Sequence, residues 1–170
     1  MSTVAGSNAP EAGVDISRLE QFLFLEARLL DEQRWQEWND LYTKDGEYWV
    51  PASPEQPDPV NHLSLIYETG LLRAVRLKRF KHPAAFSLNA RPRSVHYLSN
   101  IMLDEYDAQS GLYVLNSRFL MLQYMRDSQT LFGGVYTHRL RNTDQGLKIE
   151  YKRVDLLNCD ADQENIHLYL

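Results

Sequence analysis

Apolar positions follow two different periods along the chain, and the change falls near Arg93. Ile16, Leu19, Leu23, Ala27 and Leu30 recur at steps of three to four, with Phe22, Leu25 and Leu29 as a second line beside them. This predicts a helix with a wide apolar arc, buried on more than one side. Ser17-Arg-Leu-Glu20 has the form of a capping box and places the helix start at or near Ser17. Trp35, Trp38 and Leu41 continue the spacing into a second short helix, and Tyr48, Trp49 and Val50 after Gly46 read as a first strand. Four of the seven prolines (Pro51, Pro54, Pro57, Pro59) mark an extended loop, because proline has no ladder donor and a fixed φ. Leu63 to Tyr67 reads as a short strand and Gly70 to Phe80 as a third helix, which Pro83 stops.

Beyond Arg93 the period becomes two, in four long stretches separated by the turn-like AQSG, RDSQ and NTDQG. In the second stretch Leu112, Val114, Leu120 and Leu122 share one parity and Leu115, Phe119, Met121 and Met125 the other, so that strand is expected to be covered on both faces. Gly133-Gly134 in the third stretch predicts a bulge or sharp bend, and with it a strongly curved sheet. Helices first and a mainly antiparallel sheet after them make an α+β domain, the helices lying in or against one concave face.

Length and composition narrow the function classes. The 170 residues suffice for one domain, expected over 15–170 behind a mobile tail at 1–14 that has neither signal- nor transit-peptide character. No apolar run reaches the roughly 18 residues of a membrane span, and the single Cys159 cannot form an internal disulfide. The expectation is a cytoplasmic protein. The net charge of −5 is unevenly placed: Arg73, Arg76, Lys78, Arg79, Lys81, Arg91 and Arg93 lie in a segment without acids, leaving −12 elsewhere. A solvated face or a dock for an acidic protein partner fits this segment better than nucleic acid, since no stacking motif accompanies it and the pI is about 5.5.

One cysteine and five scattered histidines provide no ligand set for an iron–sulfur or zinc site, and neither a phosphate loop nor a nucleophile elbow is present. A curved sheet around helices can enclose a chamber for acid/base chemistry, and His96 and His138, with Asp45 or Glu47 as carboxylate partner, are the candidates for it. That constellation describes a stand-alone isomerase or dehydratase. Trp35, Trp38, Tyr48 and Trp49 either line a pocket or form core.

Four separated segments, FLFLEARLLDEQRWQEW, EYWVP, RPRSVHYLSN with its Arg93-x2-His96-x3-Asn100 spacing, and YKRVDLLN, resemble the small (beta) subunit of Rieske-type aromatic-ring-hydroxylating dioxygenases, over Ile16 to Leu170. The resemblance implies a cystatin-like roll, the fold of nuclear transport factor two, scytalone dehydratase and ketosteroid isomerase. It also implies a subunit without cofactor or catalytic residues of its own, in an α3β3 assembly whose alpha subunit holds the Rieske 2Fe-2S cluster and the mononuclear iron. Arg73, Arg76 and Arg79 all fit the family's Arg-x2-Arg position. These three, with Arg91, Arg93, His96 and Asn100, are the expected assembly residues, arginine offering a planar fork of donors and His96 and Asn100 directional bonds.

Overall fold

The structure, a computed structural model, describes residues 14–81, 91–163 and 166–170. Helix α1 spans Ile16–Asp31, and its N-cap is Asp15 rather than Ser17: Asp15 Oδ1 accepts from the Arg18 backbone N–H at 3.2 Å. A carboxylate at this end also meets the positive pole of the helix dipole, and the earlier start brings Ile16 against the core. Leu19, Leu23, Leu29 and Leu30 are buried, but Phe24 and Leu25 are exposed, so the arc is narrower than its composition suggests. The short α2, Trp35–Asp40, turns Trp35 and Trp38 into the core.

Strand β1 spans Tyr42–Pro51 and β2 Ser64–Glu68; α3, Gly70–Lys81, follows, and then β3 Arg93–Asp107, β4 Leu112–Met125, β5 Ser128–Thr143 and β6 Gly146–Leu156. They form one six-stranded sheet in the order β2-β1-β6-β5-β4-β3. Only β1 and β6 run parallel; the other neighbours are antiparallel. The Pro83 stop and the 1–14 tail lie outside the described residues, except Val14, which packs on the core.

Two local expectations are corrected. Gly133 and Gly134 pair with Leu120 and Phe119 without any register shift between β4 and β5. A Cβ on Gly134 would overlap the Asp155 carbonyl, so glycine there permits close approach of β6 instead of making a bulge. Register shifts occur elsewhere: in β5 against β6 between Arg139 and Leu140, and in β3 between Ser99 and Met102, where Asn100 has φ +51°. Asparagine tolerates the left-handed region better than other side chains. Among the described residues β4 is fully buried on one face alone: Leu115, Phe119 and Met121 pack into the core, while on the other face Leu112, Val114 and Leu122 are partly buried and Leu120 is half-exposed.

Candidate functional site

The chamber between the helices and the inner face of the sheet has Glu26 at its centre. Glu26 lies on the buried stripe of α1 between Leu23 and Leu30. His138 of β5 and Lys152 of β6 are directly opposed across the ladder, so both side chains reach the same point. Lys152 Nζ donates to Glu26 Oε1 at 2.9 Å, Trp38 Nε1–H to the same oxygen at 3.2 Å, and His138 Nε2 lies 2.8 Å from Oε2. All four side chains are buried. Burial alone would raise the Glu26 carboxyl, but the Lys152 charge and the His138 imidazole outweigh it and hold the group well below the usual carboxylate range. Burial pushes His138 and Lys152 down, against the pull of Glu26. The directions differ because two partners, Lys152 and His138, favour the Glu26 carboxylate, whereas each of them gains only Glu26 and His138 is also opposed by the Lys152 charge. A carboxylate so stabilised is a poor proton acceptor.

His96 is the second imidazole in a couple with an acid. Its Nδ1 lies 2.6 Å from Asp31 Oδ1, its backbone N–H donates to Asp31 Oδ2 at 3.0 Å, and Ser94 Oγ reaches Oδ1 at 3.3 Å. Asp31 is the last residue of α1, so this triple bond set ties the helix end to edge strand β3. The expected partners, Asp45 and Glu47, are elsewhere. Both line a cleft of about 1260 Å³ with Arg73 and Lys148, and Glu47 accepts from Tyr67 OH at 2.9 Å. The His96 and His138 couples both take their carboxylates from α1, a third pair, His62–Asp58 at 3.3 Å, lies on the exposed loop after β1, and none of the three lines this cleft or the smaller ones beside Arg126 and Arg79.

The rest of the chamber is filled. Tyr169 lies 4.3 Å from the Trp38 ring and 5.1 Å, edge-on, from Tyr48, and Leu168 and Leu170 beside it are buried. Tyr48 OH accepts from the Leu170 N–H at 3.1 Å, and Tyr169 OH donates to Glu68 at 2.6 Å. Trp35, Trp38, Tyr48 and Trp49 are core. Among the described residues no three His, Cys, Asp or Glu side chains gather as a metal-binding group.

The basic segment divides. Arg73 is buried within the chain, donating to Gly46 O at 2.6 Å and Asn39 Oδ1 at 3.1 Å and lying 3.9 Å over the Tyr42 ring. Arg76 pairs with Glu68 at 3.0 Å and covers Tyr169 at 4.7 Å. Arg79, Arg91 and Arg93 are exposed, Arg93 resting 4.8 Å from the Tyr124 ring across the β3–β4 ladder. Asn100 is exposed at the β3 irregularity.

Sequence reasoning missed Glu26, Asp31, Lys152 and Tyr169. Two of them carry a legible signal: Glu26 interrupts the apolar stripe of α1, and Lys152 shares the inward parity of Val154 and Leu156. A charge in an apolar period points to a buried ion pair. Tyr169 has no such signal, because residues 166–170 belong to no periodic element.

Comparison with known proteins follows the same direction. A family model described as "Ring hydroxylating beta subunit" matches residues 25–162. The small subunit of 2-halobenzoate 1,2-dioxygenase from Burkholderia cepacia is 29% identical over 158 residues, 87% of this chain and 91% of that one. The beta subunit of benzoate 1,2-dioxygenase from Acinetobacter baylyi is 29% identical over 127 residues, 71% of this chain and 73% of its own. In fold, the chain is similar to the benzoate 1,2-dioxygenase beta subunit of Burkholderia mallei, with a TM-score of 0.77 at 23% identity over 92% of this chain and 98% of that one. A scytalone dehydratase-like protein of Novosphingobium aromaticivorans shares the fold at a TM-score of 0.61 and 17% identity, over 83% of each chain. With a family match across most of its length and the expected α+β roll, this chain belongs to the beta subunits of the aromatic-ring-hydroxylating dioxygenases.

Proposed function

We propose that the chain serves as the non-catalytic, assembly-forming beta subunit of a cytoplasmic α3β3 dioxygenase, whose alpha subunit holds the Rieske cluster and the mononuclear iron and dihydroxylates an aromatic compound. The observation that carries this reading is an inversion of the usual economy of a small enzyme: the interior is closed while an outer sheet face lies open. Register places Val95, Leu122 and Leu131 in one row across β3, β4 and β5, and Tyr97, Leu120 and Gly133 in the next. Tyr97, Leu120 and Leu131 are 65%, 50% and 64% exposed. A contiguous apolar patch on a sheet is a contact surface in waiting, and we assign it to the beta–beta contact of the trimer, with Arg93 at its edge.

An isomerase or dehydratase would need an imidazole and a carboxylate facing an open chamber. The Glu26–His138 couple is buried, and Tyr169 packs against its Trp38 partner. Co-expression with the large subunit, followed by metal analysis of each purified chain, tests the proposal. The expected result is a complex whose iron stays with the large subunit; stoichiometric iron and a Rieske spectrum in this chain alone would overturn it.

A further inference from the structure

Helix α3 is amphipathic in an unusual sense. Arg73 and Leu77 are buried and Phe80 packs on the core, while the opposite face presents Leu71, Leu72 and Val75 at 75%, 49% and 44% exposure. A cleft of about 500 Å³ runs beside that face, between Tyr67 of β2 and Leu72, Val75, Arg76 and Arg79 of the helix. Arg76 is already compensated by Glu68, at 3.0 Å. Lys78 and Arg79 are exposed and have no carboxylate partner among the described residues, and α3 itself contains no acid.

We propose that this β2–α3 cleft is the docking site for the large subunit, accepting apolar side chains between Tyr67, Leu72 and Val75 while carboxylates at the rim of the same segment meet Lys78 and Arg79. The inference rests on the reading of the chain as a beta subunit and adds the surface by which it holds its catalytic partner. Two features select this occupant. The strand order puts β2 and β3 at opposite ends of the sheet, so a ring closed through the β3–β5 face leaves the β2–α3 edge uncovered. The uncompensated cations around an apolar floor favour a protein surface with an apolar centre and an acidic rim. Two cations on a chain of net charge −5 do not make a phosphate-backbone site.

The test uses the full chain co-expressed with its large subunit. The double variant L72D/V75D places acids where the apolar contact and the partner's carboxylates would lie, and R79E reverses the rim charge. For L72D/V75D the expected result is at least about a tenfold loss of large-subunit binding, the scale of a disrupted hot spot, with the thermal transition and the size of the beta-only assembly unchanged. For R79E it is weaker binding whose salt dependence is flattened. Undiminished binding by L72D/V75D overturns the inference, as does loss of the beta-only assembly, which would make the cleft a homotypic surface. A wild-type chain that fails to bind the large subunit overturns both this inference and the function it rests on.

Discussion

Glu26, His138 and Lys152 form a buried charged cluster that ties α1 to β5 and β6. Removing one member leaves a charge desolvated without its partner, so Glu26→Ala should cost about 3–5 kcal/mol, whereas replacing Glu26 and Lys152 together with Leu and Met should cost far less. Urea denaturation of the two variants measures the difference. The pH dependence has a definite sign. The Glu26 carboxyl is depressed in the fold, so its contribution is complete above the unfolded value of about 4.3 and is lost as pH falls toward the folded value. His138 is depressed as well, so the unfolded chain takes up its proton first, and stability begins to decline as pH drops below about 6.5. Stability measured from pH 7 to 3 should therefore fall, and Glu26→Gln should flatten the lower part of that fall; an identical slope in the variant would remove Glu26 from the acid response.

At the scale of elements, the turns and helix spans were legible and the irregularities were not. Proline and glycine punctuation and the two apolar periods located α1 to α3 and β1 to β6 to within a few residues. The bulge was misplaced, because a Gly-Gly pair is compatible with either a bend or a close approach, and only the neighbouring strand decides between them. Asn100 gives a test. Its left-handed backbone makes Asn100→Gly close to neutral, while the β-branched Asn100→Val should destabilise by about 1–2 kcal/mol. Thermal denaturation of the two variants checks this. Arg73 makes a second test: it joins α3 to α2 through Asn39 and to β1 through Gly46. Arg73→Leu should cost about 2–3 kcal/mol from lost charge-assisted bonds, with no effect on subunit association beyond that of lower stability.

At the scale of the whole molecule the proposed function assigns the chemistry to a partner subunit and shape to this chain. Leu120→Asp on the outer face of β4 should dissociate the beta–beta contact at micromolar concentration, since it buries a charge in an apolar patch. Arg93→Ala, at the edge of the same face, should weaken the association by less, because Arg93 is exposed in the single chain and stacks on Tyr124. Size-exclusion chromatography of both variants ranks the effects. Complexes that do form should give an unchanged product profile, and altered regiochemistry in Arg93→Ala would move that residue into the chemistry.

The sequence by itself determined the α+β class, the order of helices and strands, and the lack of a local metal or nucleophile motif, because these depend on period, punctuation and ligand spacing along one chain. The family resemblance was legible for a related reason: its four segments lie in order along α1 and α2, β1, β3 and β6. Only the tertiary structure decided which carboxylates meet His96 and His138. Those pairs join residues 65 and 112 positions apart, and no local pattern encodes which helix residue faces which strand. It also decided that Arg73 turns inward while Arg79 and Arg93 turn out, a division set by what packs on each face of α3 and by the edge position of β3. Side chains of one type in one basic run thus acquire opposite roles through burial, which is a property of the assembled fold and not of the run.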